Sequence, residues 1–424
     1  MTLNDKRRRV HDKLASLPGV KSVRRPVTPG SGADFNLFYV RSGTPSAHPV
    51  VFVPGGPGMA SVQLYKGLRR RAVNAGLDVI MVEHRGIGMS RHDDAGADLP
   101  PEAITVHQAV DDIAAVLDAE DIRTAVIYGT SYGSYLAAGV GVSHGDRVHA
   151  MVLDSPVLSA DDIGAARQAI RELLFDGSEP DTVELAPKIR RLVEDGTLTS
   201  DASEIITMIY GYGGADLLNR QLDLLLEGRT LLWRLLDELS RFTLRKAPYR
   251  NEVDLVGRIA FRELDFSGEP DGLPLDPSPA LAQMAQEMPG PTPMFEAEPY
   301  DLVASMPGFT WPTAVLSGSR DLTTPPVLAH RVAESIPGAV LVQLPTTAHS
   351  VLDTRERAAL EVAKAAVDGE IPSLPGRAAE LDTLPANPEL RVLVGAVAAA
   401  TAVESAIPAI PPLTAGRRPK NPAS

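Results

Sequence analysis

The chain has 424 residues, no cysteine and a formal net charge of −13, with 44% hydrophobic and 22% charged side chains. The acidic balance argues against a nucleic-acid partner and against attraction to an anionic membrane surface. The missing cysteine excludes disulfides, thiolate zinc sites and a Cys nucleophile, and is compatible with a reducing, cytoplasmic setting. This composition is that of a globular protein long enough for two or three average domains, or for one large α/β domain carrying an insertion.

The N-terminal Lys6-Arg7-Arg8-Arg9 cluster precedes no apolar run, so it reads as the solvated face of a first helix ending near Leu17 rather than as a secretory signal. Extended segments at 20–23 and 35–40 follow, separated by Pro/Gly turns. A regular alternation then sets in, with strand 50–53, the loop Pro54-Gly55-Gly56-Pro57-Gly58 and helix 64–75. Strand 78–82, the loop Glu83 to Ser90 and an amphipathic helix 106–117 with Thr105 as N-cap come next. Strand 125–128, a small-residue helix 134–142 and strand 150–153 complete this half. The spacing predicts a parallel sheet buried on both faces.

Beyond Asp154-Ser155-Pro156 the texture changes. Residues 160–305 are helix-rich, with segments at 165–174, 202–210 and 215–239 and a Pro/Gly-rich arm at 268–299, and no β-branched buried run interrupts them. The α/β rhythm resumes with strand 313–316, helix 326–336, strand 339–344 and helix 355–368. We therefore expect a core in two parts, 1–160 and 306–372, a helical cap at 161–305 and a C-terminal segment at 373–424. Within that last segment 390–403 reads as a packed helix, too short in its apolar run to span a membrane. The proline-rich end carrying Arg417, Arg418 and Lys420 reads as disordered.

The chemistry centres on Gly129-Thr130-Ser131-Tyr132-Gly133, a G-x-S-x-G sequence between a buried strand and a helix. That context is the one a nucleophile elbow needs, because the tight turn lifts the serine hydroxyl above the sheet edge. A serine needs a histidine base, and the base needs a carboxylate to fix its tautomer. In chain order after Ser131, Asp321 follows strand 313–316 and His349 follows strand 339–344, both at carboxyl ends of strands. Asp301 precedes its strand and Asp353 follows the base, which makes them weaker rivals. His330 falls mid-helix, His144 and His149 flank a strand, and His11, His48, His92 and His107 precede the serine. The backbone amide of Tyr132 and one from Gly56, or failing that Gly55, are the candidate oxyanion donors. The Gly86-Ile87-Gly88 loop lacks a dinucleotide fingerprint's third glycine and reads as a wall of the site. No metal or cofactor motif is present in the sequence.

These motifs together resemble the α/β-hydrolase-fold prolyl aminopeptidases and their tripeptidyl-aminopeptidase relatives. The resemblance rests on Pro54-Gly55-Gly56-Pro57-Gly58, Arg85-Gly86-Ile87-Gly88-Met89-Ser90, Gly129-Thr130-Ser131-Tyr132-Gly133-Ser134, Gly318-Ser319-Arg320-Asp321 and Ala348-His349. It implies an α/β-hydrolase fold, a mostly parallel sheet flanked by helices with an inserted helical cap, and a Ser131-Asp321-His349 triad. The implied activity is release of an N-terminal residue or short peptide, without a cofactor. Pro54 stands where the family has histidine, and Glu83-His84 where it has Asp-Gln. No spacing in the cap singles out Glu263, Glu296 or Glu298 as the holder of a substrate amine. The residues leave open a serine aminopeptidase, an esterase, thioesterase or lactonase acting on a small acyl substrate, and a non-catalytic binding protein.

Overall fold

In the computed structural model, which describes residues 3–199, 202–243 and 247–406, eight strands form one sheet in the order β1-β2-β4-β3-β5-β6-β7-β8. They are β1 (Val20–Pro26), β2 (Asp34–Ser42), β3 (Val50–Val53), β4 (Val79–Val82), β5 (Ala125–Thr130), β6 (Val148–Asp154), β7 (Thr313–Gly318) and β8 (Val340–Leu344). β1 and β2 pair antiparallel and β2 joins β4 antiparallel, whereas every pairing from β4 to β8 is parallel. This is the α/β-hydrolase fold that the motifs imply.

The parallel strands show continuous apolar character because both faces are covered. Val51, Val53, Ile127, Met151, Leu153 and Val315 pack on one side, with the helices Val106–Ala119, Tyr132–Ser143 and Pro326–Ser335. Val50, Phe52, Val126, Tyr128, Val152, Ala314 and Leu316 pack on the other, with the helices Lys66–Asn74, Glu356–Asp368 and Leu374–Thr383. Odd and even positions thus part between two cores, as a period of two demands. Thr105 caps its helix by accepting from the Gln108 amide at 3.2 Å.

Between β6 and β7 the chain is helical and forms a third apolar cluster of its own. Two segments were drawn differently by periodicity. The helix Ala202–Leu226 runs through the predicted break, bending at Gly214 (φ 76°, ψ 177°), and the next helix, Leu231–Thr243, starts after Gly228. The helix Leu374–Thr383 is an element the sequence reading left unassigned.

The predicted C-terminal helix spans Pro388–Ala406 and lies on the inserted helices. Gln221 donates to Thr401 at 2.7 Å, and the Glu404 carboxylate accepts from the Leu231 and Leu232 amides, each at 3.1 Å. The proline-rich end read as disordered lies outside the described residues. Among the described residues no helix is long and apolar enough to cross a membrane.

The loop after β4 is anchored by an ion pair buried in the first core. Arg85 donates from Nε and Nη2 to the two Asp112 oxygens, each at 2.7 Å, lies 5.2 Å from the Phe35 ring centre and reaches the Ala103 carbonyl at 2.8 Å. Arg25 adds a second guanidinium to Asp112 at 2.7 Å. Removing one partner strands the other as a buried charge, so Asp112→Ala should lower stability by about 3–5 kcal/mol in urea denaturation.

Candidate active site

Register brings the carboxyl ends of the central strands level. Val53 faces Gly129, Thr130 faces Asp154, Asp154 faces Leu316, and Gly318 faces Leu344. The loops after β3, β5, β6, β7 and β8 therefore open on one edge, where ligands sit in parallel sheets.

Ser131 occupies the turn between β5 and the helix Tyr132–Ser143 with φ 51° and ψ −127°, a conformation L-residues rarely adopt. Glycine makes the turn achievable. A Cβ at Gly129 would collide with the Gly133 carbonyl oxygen, and one at Gly133 with the Val53 carbonyl oxygen. The strained residue is held from both sides. Its amide donates to the Asp154 carbonyl at 2.9 Å, and its carbonyl accepts from the Ser134 amide at 2.8 Å and hydroxyl at 2.6 Å.

His349 lies 2.9 Å from the Ser131 Oγ through Nε2 and 2.9 Å from Asp321 Oδ2 through Nδ1. The ionised carboxylate only accepts, so Nδ1 carries the proton and Nε2 offers its lone pair to the serine O–H. Asp321 is buried, and its Oδ1 accepts from the Thr323 and Thr324 amides, each at 2.9 Å, while the Thr324 hydroxyl donates to Oδ2 at 3.0 Å. Those bonds fix the carboxylate before the imidazole arrives. Burial pushes the His349 pKa down, but the Asp321 carboxylate, with Asp154 and Asp353 behind it, outweighs this and leaves it raised.

Of the rivals, Asp301 caps the short helix Leu302–Ser305 through the Ala304 amide. Asp353 is engaged instead with the Tyr65 hydroxyl at 2.8 Å and the Ser350 hydroxyl at 2.7 Å.

The 54–58 loop lies against the nucleophile. A Cβ built on Gly55 would stand 3.1 Å from the Ser131 Cβ and 3.7 Å from its Oγ, whereas one on Gly56 (φ 117°) would meet Gly58 and Met59 of its own loop. The segment 247–257 clamps the loop from outside, with the Ala60 amide donating to Arg250 O and the Glu252 amide to Gly58 O, both at 2.9 Å. A side chain on Gly58 would strike Val253.

Glu83 and His84, the two departures from the family pattern, both have work here. The buried Glu83 accepts from the Val62 amide at 2.9 Å and has its pKa pushed up to about 7 by burial. His84 Nδ1 meets the Arg85 carbonyl at 2.6 Å and must therefore donate, which leaves Nε2 to accept the Tyr132 hydroxyl at 3.1 Å. Burial holds His84 neutral, with its pKa lowered to about 4.

Gly88 donates its amide to the buried Glu252 at 2.5 Å, so the Gly86–Ser90 loop packs on the inserted segment. Glu263 is spent on the Val106 amide at 2.9 Å and Glu298 on the Ala160 amide at 2.7 Å. Among the described residues no cluster of three or more His, Asp or Glu side chains is placed to hold a metal ion.

Several residues at the site escape sequence reading: Thr324, Asp154, Ser155, Ser350 and Tyr212. The signal for Thr324 was the Asp-x-x-Thr spacing after β7, which suits a side chain folded back on its carboxylate. Tyr212 lies at the bend of the helix Ala202–Leu226, and its hydroxyl pKa is raised to about 12 by burial and by Asp321 and Asp353. In the same bend, a Cβ on Gly211 would lie 3.1 Å from the Ala348 Cβ, one residue before the base.

Comparison with known proteins bears on the fold rather than on the site. A family described as alpha/beta hydrolase fold matches residues 48–179. A proline iminopeptidase of Arabidopsis thaliana is 29% identical over 143 residues, 31% of this chain and 34% of that protein. One of Neisseria gonorrhoeae is 31% identical over 117 residues, 28% of this chain and 35% of that protein. The matched stretch thus spans about a third of the length of these relatives. A crystal structure of a Mycobacterium smegmatis proline iminopeptidase covers 83% of this chain and 100% of its own, at 18% identity and a TM-score of 0.47.

The glycine crossing is the most exacting part of the site. Gly133→Ala should push the 54–58 loop away from the elbow and cost about 3 kcal/mol, read as a lowered urea midpoint together with lost turnover.

Proposed function

We propose that this α/β-hydrolase-fold chain is a serine hydrolase acting through Ser131, His349 and Asp321, and that it releases N-terminal proline, small residues or short peptides. The observation that carries the reading is the imidazole lying 2.9 Å from both the hydroxyl and the carboxylate, in the tautomer a general base needs. The similarity to proline iminopeptidases supports the aminopeptidase choice within that class.

In this mechanism His349 takes the Ser131 proton as Oγ attacks the substrate carbonyl carbon. The amides of Tyr132 and of Gly56 or Gly55 receive the oxyanion, and His349 then passes its proton to the departing amine. Water repeats the sequence on the acyl-enzyme and frees Ser131. Asp321 stays ionised and stabilises the imidazolium between the two steps. We further propose that the helices of 161–305 act as a cap over the core segments 1–160 and 306–372, with Tyr212 on its inner side.

Ser131→Ala should fold as the parent does and lose about 10⁴-fold or more in turnover, and a variant keeping parental hydrolysis would sink the assignment. Substrate class is read by a panel of prolyl and alanyl nitroanilides, a tripeptide anilide, their N-blocked forms and p-nitrophenyl butyrate. Turnover of free-amine anilides with silence towards blocked ones is the expected outcome, whereas activity on the ester alone selects the esterase reading.

The base must be neutral to work. Because the folded environment raises the His349 pKa, kcat/KM should fall with decreasing pH along a limb centred above the ordinary imidazole value of 6.5. A limb centred below that value would contradict the role given to the surrounding carboxylates.

A further inference from the structure

Bonded to the chain just after the imidazole is a carboxylate that the mechanism above does not use. Asp154 ends β6 and is fully buried. Its carbonyl accepts the Ser131 amide at 2.9 Å. Its two carboxylate oxygens accept the Val351 amide at 3.0 Å and the Leu352 amide at 2.8 Å, the second and third residues after His349. The Tyr128 hydroxyl donates to the same group at 3.1 Å. The neighbouring Ser155, at φ 49°, accepts the Ser350 amide on its Oγ at 2.9 Å. Across the gap, the Thr130 and Ser350 hydroxyls meet at 2.9 Å.

We propose that Asp154 is a positioning residue that sets the distance between nucleophile and base: its main chain holds the serine turn while its carboxylate holds the start of the helix behind the histidine. The proposal rests on the Ser131–His349 reading and extends it.

Two lines of reasoning favour this role over a merely structural one. An ordinary strand end would satisfy the first amides of the short helix Val351–Thr354 with water or a local cap, and Ser350 already caps the Asp353 amide at 3.2 Å. Asp154 instead reaches across the chain to the amides next to the base, and a buried carboxylate is a costly way to do this unless its charge is used. Burial pushes the Asp154 pKa up to about 6, against the four hydrogen-bond donors that pull it down. In its ionised form this carboxylate favours the imidazolium, adding to the larger effect of Asp321 that raises the His349 pKa.

The carboxylates that act on His349 are Asp321 from the loop after β7, Asp154 from β6 and Asp353 from the short helix that follows the histidine. Tyr212 of the inserted helix faces Asp321 and Asp353, Tyr65 faces Asp353, and Tyr128 of β5 faces Asp154. Only Asp154 among the carboxylates is also bonded to the nucleophile's own backbone.

The test is a pair of variants in the full chain, read by kcat, KM and the acid limb of kcat/KM on whichever panel substrate the parent turns over. Asp154→Asn turns one of two acceptors into a donor facing an amide N–H and removes the charge. It should lower kcat about 10- to 100-fold with KM little changed, and move the acid limb to lower pH. Asp154→Glu keeps the charge and lengthens the tether, so kcat should fall while the limb stays at the parental pH. The Glu variant also carries the test where the Asn protein does not fold, since an unaltered kcat there overturns the proposal.

An Asp154→Asn protein with reduced kcat and an unmoved limb shows a structural role only and likewise overturns it. Ser131→Ala, assayed alongside, separates the two levels. If it is inactive while both Asp154 variants behave as the parent, this inference alone fails. If Ser131→Ala retains activity, the triad reading fails with it.

Discussion

The site depends on one backbone constraint. Ser131 adopts φ 51° in a turn so tight that a side chain at Gly129 would strike the following helix and one at Gly133 would strike the end of β3. Strain of this kind costs about 1–3 kcal/mol and persists only where surrounding structure overdetermines it. Here the surroundings are specific: the Asp154 carbonyl on the Ser131 amide, Ser134 on its carbonyl, and the Gly55 loop against its side chain. They come from the end of β6, from the helix that follows the turn and from the loop after β3, and the register of the parallel strands brings the first and last of these to the same edge.

How much of this was legible in the sequence follows from the range of each interaction. The elbow was readable because strand, turn and helix are contiguous and the glycine spacing is itself the steric requirement. Asp321 and His349 were readable because each sits just past a buried apolar run, and parallel strands bring such positions to one edge. Asp154 was visible only as a punctuation mark after β6. Its carboxylate bonds amides 197 and 198 residues away, and no local pattern records such a partnership. Glu83 and His84 looked like blemishes in a family motif for the same reason. Their partners, the Val62 amide and the Tyr132 hydroxyl, become neighbours only once β4 and β5 flank β3.

Helix boundaries failed where glycine had two readings. The expected helices 202–210 and 215–239 stop and start around Gly211-Tyr212-Gly213-Gly214, yet the helix continues past a single positive-φ residue at Gly214. The bend is compatible with close packing, since Gly211 lies against Ala348 and Gly214 beside the Arg320 guanidinium. Gly228, at φ 74°, is a true stop of the left-handed type. Composition alone does not separate a glycine that ends a helix from one that lets it approach a neighbour. What separates them is whether a loop lies within contact distance, which is tertiary information.

The inserted segment touches the candidate site on two sides. The segment 247–257 pairs with the 54–60 loop beside the nucleophile, and the bend of the helix Ala202–Leu226 rests on the residue preceding the base. Glu252 strengthens the first contact, accepting from the Gly88 amide at 2.5 Å and from Arg7 of the N-terminal helix at 2.7 Å. The second contact is made by Gly211 against Ala348, with the Arg320 guanidinium beside Gly214. The difference matters physically. The polar clamp beside the 54–58 loop resists displacement because its buried carboxylate would lose several bonds at once, to the Gly88 amide, the Tyr249 amide and Arg7. On the reading proposed above, displacement of the bend would disturb the packing of Gly211 on Ala348, whereas displacement at the 54–58 loop would disturb the bonds of the buried Glu252 carboxylate.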